Sequence, residues 1–284
     1  MNWQGLRATL AAGVAGWAVT ATGQTTVVVT PDDLNPASTG LDNWFQADTA
    51  GGTSSIVDLA GTGGNLENNQ PLPTGAARLQ LPDSTSAKAE LTMYGDFGSV
   101  LDLATAEFGY SFYKVGGAGG PAPAPSLKLA LYNPDGTGDN YGQLIYEPYW
   151  NRSATGSGTV TPDVWQDESI DSGTGSGIDA AGGWWWTGGF EVGSGGGGAP
   201  LRSLGEWVTT FTSSDPVDFV NARVVAIGVG VGSNNAGNLG YFDNLSVQLG
   251  SISRIYDFEV PEPGSLALLS LGGLALLGRR RAKM

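Results

Sequence analysis

A chain of 284 residues with 46 Gly, 15 Pro and 9 each of Trp, Tyr and Phe favours turns over long helices, yet carries enough aromatic bulk for a packed core. It contains neither Cys nor His, which excludes thiolate nucleophiles, imidazole bases and the usual ligands of zinc and copper. The formal net charge is -14, and five of the 13 basic residues (Arg7, Arg279, Arg280, Arg281 and Lys283) sit in the terminal segments, so the body between them repels a phosphate backbone and nucleic acid is not an expected partner.

Residues 1–24, MNWQGLRATLAAGVAGWAVTATGQ, join Arg7 to an apolar stretch from Leu10 to Val19, followed by small residues at Val19-Thr20-Ala21 and Ala21-Thr22-Gly23. This is the order of a signal peptide and predicts export. An amphipathic first helix would need polar positions at helical spacing, which the run lacks before it gives way to TTVVVT.

Beyond this segment the dominant period is two. ARLQL (Ala77, Leu79, Leu81), AELTM (Ala89, Leu91, Met93), EFGYSFYKV (Phe108, Tyr110, Phe112), LKLAL (Leu127, Leu129, Leu131), EWVTTF (Trp207, Thr209, Phe211) and NLSVQL (Leu245, Val247, Leu249) alternate apolar and small or polar residues, the pattern of half-buried strands. ARVVAIGVGVG reads as a strand buried on both faces. Turn residues at 82–83, 133–136, 193–198 and 234–237 separate them. These signals predict an all-β fold: one antiparallel, jelly-roll-like β-sandwich over residues 26–255. GGAGGPAPAP at 116–125 fits a loop between two strands as well as a domain boundary, and no period of 20 to 50 residues points to a solenoid or propeller.

Several stretches could carry chemistry. Tyr146, Tyr149 and Trp150 in YEPYW, with Trp184-Trp185-Trp186 between glycine pairs, form a candidate glycan-binding surface, because aromatic faces stack on the C–H faces of sugar rings. Packing into the core is the alternative, and in a strand Trp184 and Trp186 point one way while Trp185 points the other. Glu147, Asp167, Glu168, Asp171, Glu191 and Glu206 lie near these aromatics, and paired carboxylates can hydrolyse glycosides without His or Cys. Asp167-Glu168-Ser169-Ile170-Asp171 does not supply the Glu-x-Asp-x-x-Glu pattern of one sandwich glycosidase family, so no catalytic residue is assigned. Asp139-Asn140 lacks the ligand spacing of an EF-hand loop. The glycines at 193–198 precede no Gly-Lys-Ser/Thr element that would mark a phosphate loop.

Gly240-Tyr241-Phe242-Asp243-Asn244-Leu245-Ser246-Val247 resembles the closing strand of jelly-roll carbohydrate-binding modules. The resemblance implies a candidate structural calcium with Asp243 as a carboxylate ligand. A strand-end hydrogen bond by Asp243 is the competing role.

The C-terminal segment 256–284 holds Val260-Pro261-Glu262-Pro263, an apolar run at 264–278 and a basic tail at 279–283. Fifteen residues make a helix of about 22 Å against a hydrocarbon core of about 30 Å, and Arg279, Arg280 and Arg281 would hold its end on the cytoplasmic side. Pro261 and Pro263 keep the preceding backbone extended. A C-terminal core helix accords poorly with the abutting arginines, and a GPI signal requires neither them nor Pro-Glu-Pro. The three-part order resembles the PEP-CTERM sorting signal of bacterial envelope proteins. It implies an exosortase-type processing enzyme as partner, a short transmembrane helix as inner-membrane intermediate, and release to the cell surface or an exopolysaccharide matrix. The expected function is that of an exported, non-catalytic surface or matrix protein touching exopolysaccharide through exposed aromatics. A secreted glycoside-active enzyme and a purely structural surface protein are the alternatives.

Overall fold

The computed structural model describes residues 23–120, 123–151, 160–173, 183–193 and 200–261. Nearly all of the 1–24 signal segment, Glu262, Pro263, the 264–278 helix and Arg279, Arg280 and Arg281 lie outside the described residues. Among the described residues, no helix is long and apolar enough to cross a membrane.

Alternation of apolar and polar residues builds two sheets whose inner faces share one core. The first contains β1 (Thr25–Val29), β3 (Thr53–Asp58), β4 (Gly75–Gln80), β6 (Glu107–Lys114), β9 (Trp165–Ile170), β12 (Leu239–Leu249) and β13 (Ile252–Phe258). The second runs in the order β10 (Trp184–Gly188), β8 (Tyr141–Tyr146), β7 (Ser126–Tyr132), β11 (Arg223–Val231), β5 (Ala89–Tyr94) and β2 (Trp44–Gln46). Their strand pairs are antiparallel except β1 with β13. Leu91, Met93, Leu127, Leu129, Ile227 and Val229 of the second sheet meet Leu79, Phe108, Phe112, Phe242, Leu245 and Val247 of the first, all buried. The strands on either side of segment 116–125 both contribute to this core.

EWVTTF is helical, contrary to its period-two appearance. Residues Leu204–Ser214 form a helix; it follows two single-turn helices, α1 (Gly64–Asn68) and α2 (Pro148–Asn151), and is α3. Ser203 accepts from the Glu206 amide and Glu206 accepts from the Ser203 amide, a capping box that satisfies the first orphan donors. Leu204, Trp207 and Phe211 then share a buried stripe. The Trp207 indole N–H donates to the Trp184 carbonyl at 2.8 Å, so the helix is fastened to the start of β10.

The end of the first sheet explains Asp243. On one edge of β12, β4 pairs with Leu239 to Phe242 and β13 with Leu245 to Leu249, while β6 takes the other edge. The two neighbours part at Asp243, which is wholly buried and accepts from the Phe258 amide at 2.9 Å. Its carboxylate thus replaces the ladder partner that the fork removes. Burial pushes its pKa up to about 8, against hydrogen bonds from the backbone and with reinforcement from Asp257 and Glu259. The sheet also continues beyond residue 255: β13 ends at Phe258, and the Glu259 amide donates to the Val29 carbonyl at 2.9 Å.

A raised carboxyl pKa gives stability that is complete below the unfolded value near 4 and is lost as pH climbs toward the folded value. D243N keeps the acceptor and removes the ionisation. Denaturation from pH 4 to pH 8 should therefore show the variant gaining on the wild type as pH rises, by at most about 1.4 kcal/mol per pH unit. A constant difference across that range would remove Asp243 as the cause.

Candidate functional site

The second sheet and the turn after β8 carry the aromatic candidates, and strand parity sorts those on the strands. Trp184 and Trp186 are 0% exposed and Tyr146 is 2% exposed, all three belonging to the core. This corrects their assignment to a glycan surface. Trp186 lies against Gly142 and Phe211, and Tyr146 donates its hydroxyl to Glu168 at 2.9 Å. Trp185 points the other way and is partly exposed. Its cross-sheet row reads Trp185, Ile145, Lys128, Gly228, Thr92 and Phe45.

That row crosses a trough. On β11, Ile227, Val229 and Val231 enter the core and leave Ala226, Gly228 and Gly230 outward, so only one face of the strand presents bulk. A Cβ on Gly228 would come within 2.3 Å of Thr92 Oγ1, and one on Gly230 within 2.8 Å of Glu90. Across this strip the Lys128 ammonium pairs with Glu90, their side chains 12% and 16% exposed. Glu90 is costly to bury, but Lys128, Thr92 and Lys88 outweigh that cost and hold its pKa below the usual range.

Beside the trough is a cleft of about 550 Å³, lined among others by Lys128, Gln143, Glu147, Tyr149, Trp185 and Thr187. Asn234 and Asn235 also line it. Tyr149 packs against Trp150 with ring centroids 4.7 Å apart and planes tilted by 36°, and of the two it is Tyr149 that lines the cleft. The clamp that sets Glu147 is local. Asn151 donates to the Glu147 carbonyl at 2.9 Å and to the Gly183 carbonyl at 3.2 Å, and it accepts from the Gly183 amide. The turn after β8 is thereby tied to the start of β10. Burial raises the Glu147 pKa, although Lys128 and the polar edges of Trp150, Trp185 and Tyr149 favour its ionised form.

The other acidic candidates do not join Glu147. Asp167, Glu168 and Asp171 line a separate cavity on the first sheet, where Asp167 accepts from Ser111 and Glu168 from Tyr146, and Glu206 caps α3. Among the described residues Glu147 is the one carboxylate in the cleft lining. Asp139 accepts from the Phe190 amide through its carbonyl, joining the loop before β8 to the residues after β10. Asp243 lies on the other sheet as a backbone acceptor, and no group of three or more carboxylates among the described residues is placed to hold a metal ion.

Lys128, Gln143 and Thr187 were passed over in the sequence, although Lys128 and Gln143 occupy the polar positions of alternating strands. Of the sorting-segment residues described, Val260 packs against the core and Pro261 is exposed.

Removing one partner of the covered Lys128–Glu90 pair leaves the other charge nearly buried. K128M should cost about 3–5 kcal/mol in urea denaturation, and K128M/E90L should recover most of it. Equal losses in the single and double variants would contradict that coupling.

No curated protein matches the chain. Among solved structures, the chain is similar to the family 11 carbohydrate-binding module from Clostridium thermocellum in complex with a β-1,3-1,4-mixed-linked tetrasaccharide (13% identity, 75% of this chain and 92% of that one, TM-score 0.37). It is also similar to TmCBM61 in complex with β-1,4-galactotriose (12%, 73% and 88%, TM-score 0.33). A third is the CBM22-1 xylan-binding domain from Paenibacillus barcinonensis Xyn10C (12%, 75% and 88%, TM-score 0.32). Residues 259–281 match the PEP-CTERM protein-sorting motif, which begins at the residue after β13 and marks the chain as an exported protein sorted by an exosortase-type system.

Proposed function

We propose that this exported protein is a non-catalytic component of the cell surface or extracellular matrix, reached through an inner-membrane intermediate, and that its sandwich holds exopolysaccharide in the cleft over β7, β8 and β10. The observation that carries the proposal is the union of Trp185 and Tyr149 with Gln143, Thr187, Asn234 and Asn235 around one concavity. Sugar rings need this pairing of apolar platform and hydrogen-bonding rim. The volume of about 550 Å³ suits a few sugar units.

Hydrolysis by paired carboxylates calls for two acids about 5–9.5 Å apart across the scissile bond. Among the described residues, Glu147 has no second acid beside it in the cleft lining, which favours holding a glycan there over cutting it. The partly exposed Trp185 weighs against a purely structural role, for which all three tryptophans would be expected in the core.

Affinity electrophoresis of the processed protein in gels containing uncharged polysaccharides tests the proposal. W185A should weaken retardation at least about tenfold, or ~1.4 kcal/mol, with an unchanged circular dichroism spectrum. Retention of full affinity by folded W185A would overturn it.

A further inference from the structure

We propose that Glu147 makes the cleft a filter against acidic sugars, so that its ligand is an uncharged polysaccharide and polyuronates are turned away; the inference rests on the glycan proposal above. Glu147 lines the same concavity as Trp185 and lies two residues beyond Ile145, the cross-strand partner of Trp185, on the same outward side. A sugar stacked on Trp185 therefore brings its ring substituents next to that group. Hydroxyls can donate to a carboxylate acceptor. A uronate presents a second anion at the same place and loses its hydration with nothing in return.

The cations of the cleft do not compensate. Lys128 is engaged by Glu90, and Lys88 also acts on Glu90. Lys88 and Lys128 line the cleft with one carboxylate, Glu147, and the neighbouring Glu90 offsets the second ammonium, so the site and its surroundings carry no net positive charge for a polyanion. The chain as a whole, at -14, adds a repulsive field of the same sign. Asn151 fixes the main chain at Glu147, bonding its carbonyl and the Gly183 backbone, so the residue stays at the cleft.

Binding of wild type and E147Q is compared at low ionic strength on uncharged β-linked glucan, mannan and galactan and on polygalacturonate. Wild type should bind at least one uncharged polymer and not polygalacturonate, and E147Q should gain at least about tenfold on polygalacturonate. Wild-type binding to polygalacturonate as tight as to the uncharged polymer overturns the filter and leaves the glycan proposal standing. A folded E147Q without the gain removes Glu147 from the role. Binding to no polymer by either protein overturns both proposals together.

Should E147Q fail to fold, wild type carries the test. Raising salt from about 0.01 M to about 1 M shortens the Debye length from about 30 Å to about 3 Å. Polygalacturonate binding must then rise severalfold while uncharged binding holds, and no rise overturns the filter.

Discussion

Burial of Trp184 and Trp186 on the inner side of one short strand leaves Trp185, between them, no direction but outward. The two inner indoles are locked into the core, Trp186 against Phe190 and Phe211, Trp184 against Phe108 and Tyr146. A one-residue slip of β10 would bring Trp185 inside and turn both partners into solvent, which no other contact could offset. The register is pinned from outside the sheet as well, since Arg202 exchanges backbone hydrogen bonds with Trp184 and the Trp207 indole bonds to the Trp184 carbonyl. The aromatic platform of the cleft is therefore a consequence of core packing.

The shape of the same face depends on what β11 lacks. Gly228 and Gly230 leave a furrow, and the charged pair Lys128 and Glu90 closes over it instead of standing free. The outcome is a surface bordered by a cleft that brings together aromatic rings, amides, hydroxyls, the ammonium groups of Lys88 and Lys128 and, among the described residues, the one acid Glu147. On the opposite sheet the comparable fork in the strands is filled by Asp243, which the fold uses for a backbone amide.

Local chemistry was readable in the chain and long-range pairing was not. The period-two stretches at 75–80, 89–94, 107–114 and 126–132 became strands because one sequence face met the core. Trp207 and Phe211 fit a strand at i, i+4 as readily as a helix, and only the Ser203 to Glu206 cap three residues apart favours the latter. The role of Asp243 depends on β4 and β13 sharing one edge of β12, and the Lys128–Glu90 pair joins residues 38 apart. Neither is written in any short window. The sorting motif, by contrast, is a matter of local order, and its match begins where the sheet ends: Glu259, its first residue, accepts from the Thr74 amide at 2.8 Å.

The most direct test of the account follows each tryptophan separately. Indole N–H resonances of the 15N-labelled protein, assigned by substitution, are recorded while an uncharged oligosaccharide is added. The account predicts that the Trp185 signal moves with saturable dependence on ligand while Trp184, Trp186 and Trp207 stay in place. Movement of Trp165, on the opposite sheet, with Trp185 unaffected would contradict it.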